Sequence, residues 1–200
     1  MSRAQGGATW YTSDPHFYHR LVAGLRGFDS ADEMNASIVE QWRSQVRPND
    51  TVFVLGDVCV NRVPQTLELV ESLPGRKHLI TGNHDMVAPQ HRDAIRRLPV
   101  WAQVFDTILP FARRRLAGHD LLLSHYPYTD WGDGEGRAGC RYRQYRLPDL
   151  GVPLLHGHTH GTERAHGHSL HVGWDAWSRL VPQDQVIAWL DTLPAVTADE

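Results

Sequence analysis

The stretch TVFVLGD, residues 51–57, decides the fold. Residues 51–55 form a continuous apolar run, too short for a helix and without the alternation of a strand that has one wet face. They read as a strand covered on both sides, with helices against one face of its sheet. The run ends at Gly56, and Asp57 is the first charged side chain beyond it. In an open α/β sheet that position lies on the carboxyl edge, where ligands are carried.

The same grammar recurs outward from this stretch. ATWYTS at 8–13 precedes Asp14-Pro15-His16, and HLI at 78–80 precedes Thr81-Gly82-Asn83-His84-Asp85. LLL at 121–123 leads into Ser124-His125, and LL at 154–155 into His156-Gly157-His158-Thr159-His160. Between these runs the period becomes helical. Met34, Ile38, Val39, Trp42 and Val46 repeat from an N-cap at Ser30 to a stop at Pro48. Pro64 opens a second helix carrying Leu67, Val70 and Leu73 to the Pro74-Gly75 turn. Residues 89–98 predict a third helix, and 182–193 a last one with Val186, Ile187, Trp189 and Leu190. Further strands are expected at 104–105, 108–116 and 120–123, with a turn at Ala117-Gly118, and 170–174 is a brief apolar run. The fold class is α/β: two sheets packed together, helices outside, in a single domain over 1–200.

Composition narrows the function. A chain of 200 residues supports one real core, and 41% hydrophobic with 22% charged residues is not the balance of a disordered chain. A net charge of −3 does not indicate nucleic-acid or membrane binding, and no apolar run approaches the roughly 18 residues of a membrane span. The first residues lack the apolar centre of a signal peptide, and Cys59 and Cys140 cannot build a disulfide framework, so a cytoplasmic chain is expected. The outlying number is 13 histidines, several of them in HGHTH and HGHSLH.

Five apolar runs that each deliver Asp, Asn or His to one sheet edge make a mixed oxygen and nitrogen ligand set. Such a set suits Mn²⁺, Fe or Zn²⁺ better than Mg²⁺ or Ca²⁺. Asp14 and His16 are two positions apart, as are His158 and His160, so in extended chain each pair points the same way. Gly56, Gly82 and Gly157 allow tight turns close to an ion. A single carboxylate, Asp57, could bridge two ions, whose surplus positive charge would attract an anionic substrate.

DPH, LGD, GNHD, SHYP and HGHTH, in this order, resemble the calcineurin-like metallophosphoesterase family, and SDPHFYH with VGWDAW is similar to its small phage and actinobacterial members. The resemblance spans residues 9–190 and implies a four-layer α/β/β/α sandwich. It places Asp14, His16, Asp57 and His160 on one divalent ion, and Asp57, Asn83, His125 and His158 on a second. The ions implied are Mn²⁺ foremost, with Fe, Zn²⁺ or Ni²⁺ also suitable. His84 matches the catalytic histidine that protonates the leaving group, with Asp85 either orienting it or capping the next helix. The implied reaction is in-line attack on phosphorus by a metal-bridging hydroxide.

The resemblance implies a phosphodiesterase for small diesters or cyclic nucleotides, 2′,3′-cyclic ones included. The alternatives are a phosphomonoesterase, a nuclease or end-processing enzyme, and a non-catalytic module on the same fold. Residues 128–151 lack periodicity and carry Arg137, Arg141, Arg143 and Arg146 among tyrosines. They read either as a substrate-selecting lid, with Arg141 and Arg143 on the substrate, or as a solvated loop. His19 is either a substrate contact or a surface group. The tract at 165–168 reads as an exposed hairpin, His156 as support for its strand end, and His171 stands where relatives more often have asparagine. Oligomeric state is not legible.

Overall fold

A computed structural model describes residues 7–129, 131–133 and 140–194; Arg137 lies outside the described residues. Strands β1 (Thr9–Thr12), β2 (Thr51–Val54), β3 (Arg76–Ile80) and β4 (Thr107–Leu109) run parallel in that order, and β1 also pairs antiparallel with an edge strand at Val181–Pro182. The crossovers carry helices α1 (Arg20–Leu25), α2 (Ala31–Gln45), α3 (Val63–Glu71) and α4 (Ala94–Trp101). Alternation along β2 explains its apolar run. Val52 and Val54 pack with Met34, Ile38, Trp42, Leu67 and Val70 of the helices, while Leu55 joins Tyr11 and Ile80 in the core between the sheets. Burying a valine, isoleucine or leucine of this kind stabilises by about 1.5–3 kcal/mol relative to exposure.

The second sheet is built from β5 (Phe111–Leu116), β6 (His119–Ser124), β7 (Leu154–His156), β8 (Ala165–His166) and β9 (Ser169–His171), in the order β5-β6-β7-β9-β8. Its Leu121, Leu123, Leu155 and Leu170 complete the core between the sheets. The remaining elements are α5 (Trp174–Trp177), the edge strand, which is β10, and α6 (Gln183–Leu190). The molecule is thus an α/β sandwich of two mixed sheets flanked by helices. Ser30 caps α2 as expected, accepting from Glu33 N at 3.1 Å, while Glu33 accepts from Asp29 N at 2.9 Å. Ala117 and Gly118, both at positive φ, make the β5–β6 hairpin. Gly167, at φ +55°, turns the exposed β8–β9 hairpin expected at 165–168.

Three expectations need correction. The strand expected at 108–116 is two strands in different sheets, divided at Pro110, which has no N–H for a ladder. The helix expected at 89–98 is displaced to Ala94–Trp101, because the backbone after Asp85 is taken up by successive tight turns and His91 bonds the Asn83 carbonyl at 3.0 Å. Residues 104–105 are no strand: both amides donate to Trp101 O at 3.0 Å, and Phe105 stacks on Trp101. Their apolar character serves packing at a helix end. Helices α1 and α5 are too short to leave a period in the sequence. Among the described residues no helix is long and apolar enough to cross a membrane.

Candidate metal centre

Because β1, β2 and β3 are parallel, the segments following them leave the first sheet at one edge. The segments after β1 and β2 then zip together. Asp14 N donates to Gly56 O at 3.0 Å, His16 N to Asp57 O at 3.1 Å and Phe17 N to Val58 O at 2.9 Å. In the second sheet, Gly157 N donates to His125 O at 2.9 Å and ties the two histidine-bearing ends. Asp14, His16, Asp57, His158 and His160 all have φ between 50° and 73°, the left-handed region that non-glycine residues avoid. Such strain persists only where the surroundings over-determine it, and it gathers at functional sites.

The ligand atoms converge in two groups. His16 Nε2 lies 3.1 Å from His160 Nε2, 3.8 Å from Asp14 Oδ1 and 3.6 Å from Asp57 Oδ2. His125 Nε2 lies 3.2 Å from His158 Nδ1, 3.3 Å from Asn83 Oδ1 and 3.5 Å from Asp57 Oδ1. The two oxygens of Asp57 therefore face different groups, the arrangement a bridging carboxylate requires. The structure brings together Asp14, His16, Asp57, Asn83, His125, His158 and His160.

The donor chemistry fits cations. His125 Nδ1 faces the Leu55 carbonyl at 2.7 Å, which can only accept, so the proton sits on Nδ1 and Nε2 presents a lone pair. That lone pair faces the acceptor oxygens of Asn83 and Asp57. His160 Nδ1 is held by Asp175 Oδ2 at 3.0 Å, so in the neutral form that ligates a metal the lone pair is on the inward Nε2. Asp14 Oδ1 is buried without a hydrogen-bond partner. Lone pairs aimed at one another in a buried space repel unless a cation stands between them. Burial lowers the His16, His125 and His158 imidazoles, favouring the neutral form that ligates, while burial and the charge of Asp14 hold the Asp57 carboxyl well above its usual range.

The tight packing leaves no room at two glycines. A Cβ on Gly157 would collide with Ser13 Oγ and Asp14 Oδ2, and one on Gly56, at φ +89°, would approach His125 Nδ1 to 2.6 Å. Asp85 takes a different place from the orienting one. Its carboxylate accepts from Asp57 N at 3.0 Å, Val58 N at 2.9 Å and Gly82 N at 2.8 Å, so it braces the loops rather than the His84 ring. The His84 imidazole is accordingly pushed down, to about 4, by burial and the nearby His125 and His19.

Several supporting residues escaped sequence reading. Asp175, inside the VGWDAW motif, orients His160 and is itself gripped by Arg26 at 2.7 and 2.9 Å; Arg26 also donates to Asp14 O at 2.7 Å. Asp133 is buried by Arg141 and Arg146 and reaches His158 Nε2 at 3.5 Å. An acid flanked by two tryptophans in the VGWDAW motif was the available signal for Asp175; Asp133 gave none.

A cleft of about 510 Å³ opens over the two groups, lined by His19, His84, Arg141, Thr159, Leu21 and Leu25 among others. His84 Nε2 lies 3.9 Å from Asp57 Oδ2, and the His19 ring sits 5.3 Å from that of His16. Arg141 is anchored through Nε to Asp133 at 2.6 Å. Arg143 is outside the cleft lining and exposed, because Tyr142, at φ 57°, turns the chain away into a short 3₁₀ turn, Arg143–Tyr145. Of the two arginines expected on substrate, the structure thus brings Arg141 and not Arg143 to the cleft lining.

Residues 8–162 match the family model for calcineurin-like phosphoesterases, and the chain belongs to that family. It is a metal-dependent phosphoric ester hydrolase of a family that works with two metal ions on small phosphoesters. The Gene 66 protein of Mycobacterium phage L5 is 38% identical over 193 residues, covering 89% of this chain and 91% of its own. The Gene 66 protein of phage D29 is 40% identical over 189 residues, covering 88% and 92%. In structure the chain is similar to AQ665 of Aquifex aeolicus, with a TM-score of 0.68 at 22% identity over 92% of this chain and 99% of that one, a likeness of fold.

Proposed function

We propose that this hydrolase is a phosphodiesterase for small diesters or cyclic nucleotides, 2′,3′-cyclic ones included, with Mn²⁺ as the preferred ion. The observation that carries the reading is the cleft. Beside the ligands it offers the apolar wall of Leu21, Val22 and Leu25, and Arg141 as its one guanidinium among the described lining residues. A diester carries a single negative charge and a second organic substituent, which that wall can cover; a monoester has only one substituent to place there and a second negative charge to neutralise.

Asp14, His16, Asp57 and His160 would hold one ion, and Asp57, Asn83, His125 and His158 the other. When bound, the ions supply charge neutralisation at phosphorus and an acidified water. His84, half-exposed at the cleft wall, would donate a proton from Nε2 to the leaving-group oxygen in its imidazolium form, which the anionic phosphoester bound beside it favours. Arg141 and His19 orient the phosphoryl oxygens, with Arg141 fixed by its tie to Asp133.

The test is to strip the protein of metal and restore Mn²⁺, Fe²⁺, Zn²⁺, Ni²⁺ or Mg²⁺. Turnover of bis-p-nitrophenyl phosphate is then compared with that of p-nitrophenyl phosphate. Mn²⁺-restored turnover of the diester above the monoester is expected. Turnover confined to the monoester would overturn the reading.

A further inference from the structure

A second cavity, of about 250 Å³, shares Thr159 with the metal cleft. Its lining includes Trp131, His156, His166 and His171, none of them used at the metal centre. His171 is only 3% exposed, yet neither of its ring nitrogens has a hydrogen-bond partner. A buried imidazole in that state lowers stability unless something arrives to bond it. It is held in place by stacking on His156 at 5.3 Å, whose own Nδ1 bonds the Gly157 carbonyl at 2.9 Å.

Another part of the lining is aromatic and fixed. Trp131 meets His166 edge-on at 4.8 Å, and its Nε1 donates to Asp149 at 3.3 Å. The tip of the β8–β9 hairpin lies against it, since a Cβ on Gly167 would come within 3.1 Å of the indole. His168 is committed to Asp149 at 2.7 Å.

A cavity lined by a rigid aromatic surface and by a buried, unpartnered imidazole with one donor and one acceptor suits a planar heterocycle with polar edges. We propose that this cavity is a nucleobase subsite. The base stacks against Trp131 with the His166 ring at its rim, a polar edge of the base bonds His171, and the phosphoester passes Thr159 into the metal cleft. The phosphate half of this placement rests on the diester reading above; the base half does not.

The experiment therefore separates the halves. Adenosine and inorganic phosphate are titrated singly into Mn²⁺-loaded protein by calorimetry, for the wild type, Trp131→Ala and Trp131→Phe. Adenosine binding is expected to weaken about tenfold in Trp131→Ala and to recover in Trp131→Phe, the scale of one lost base stack, with phosphate affinity moving less than about twofold. No adenosine binding to the wild type, or equal weakening of both probes, overturns the subsite even if diesters are turned over. Adenosine binding that depends on Trp131 without diester turnover keeps the subsite and removes the diester reading.

Discussion

The Nε2 atom of His158 lies 3.5 Å from Oδ1 of Asp133, a buried carboxylate contributed by the long segment between β6 and β7. Asp133 is neutralised by Arg141 at 2.6 Å and by Arg146, whose side chain is fully buried. The segment that reaches the cleft through Arg141 thus also backs a candidate metal ligand. At 3.5 Å the carboxylate does not hydrogen-bond Nε2 but acts on it through charge, favouring the tautomer with its proton there and the lone pair on Nδ1.

Asp133→Asn should lower the affinity for one of the two ions by about 10–100-fold and leave the other nearly unchanged. Metal stoichiometry and calorimetric titration with Mn²⁺ measure this. Equal weakening of both ions would mean that Asp133 supports the fold generally rather than His158.

His84→Ala should retain both ions and lower kcat for the diester by about 100–10,000-fold, the range of a lost general acid. Asp57→Asn, by contrast, should deplete both ions, because its two oxygens face different groups. Elemental analysis beside steady-state kinetics separates the two variants. Metal loss in His84→Ala would contradict the role given to it.

Gly157→Ala would force a methyl into Ser13 and Asp14. Overpacking of this kind costs about 1–3 kcal/mol, and here it also displaces a ligand carboxylate. Thermal unfolding should shift down, and Mn²⁺ should stabilise the variant less than the wild type. An unchanged Tm with normal metal content would show that the loop yields.

Asp50 gives a pH prediction away from the metal centre. Its carboxylate accepts from Ala8 N at 2.8 Å, Arg47 N at 2.9 Å and Trp10 Nε1 at 3.0 Å. Burial pushes its pKa up, but these donors outweigh burial and hold it below the usual range. The stabilisation is complete above the unfolded value of about 3.9 and is lost as pH falls through the lower folded value. Asp50→Ala should cost about 1–3 kcal/mol at neutral pH. In denaturant unfolding, the gap to the wild type should close below about pH 4. A constant gap down to pH 2 would deny the carboxylate its role.

Reading strand ends was enough to collect Asp14, Asp57, Asn83, His125 and His158, because a strand and the residue after it are neighbours in the chain. That locality fails for their supports. Arg26 and Asp175 are 149 positions apart, and no period or motif joins them before the sheets pack. Asp85 was legible as a site residue but not in its orientation, which the amides of Asp57 and Val58, 27 or 28 positions away, determine. Pro110 was visible in the sequence, yet its place at the passage from one sheet to the other was not.

The sequence by itself determined the α/β class, the delivery of ligand residues to the ends of successive strands, and the mixed Asp, Asn and His donor set, since hydrophobic period and residue type are local properties. Only the tertiary structure decided which donors share an ion site, which oxygen of Asp57 faces which group, and that Arg141 reaches the cleft where Arg143 does not. Those outcomes depend on side-chain directions after two sheets have closed on one core, with loops held at strained φ by hydrogen bonds between distant segments.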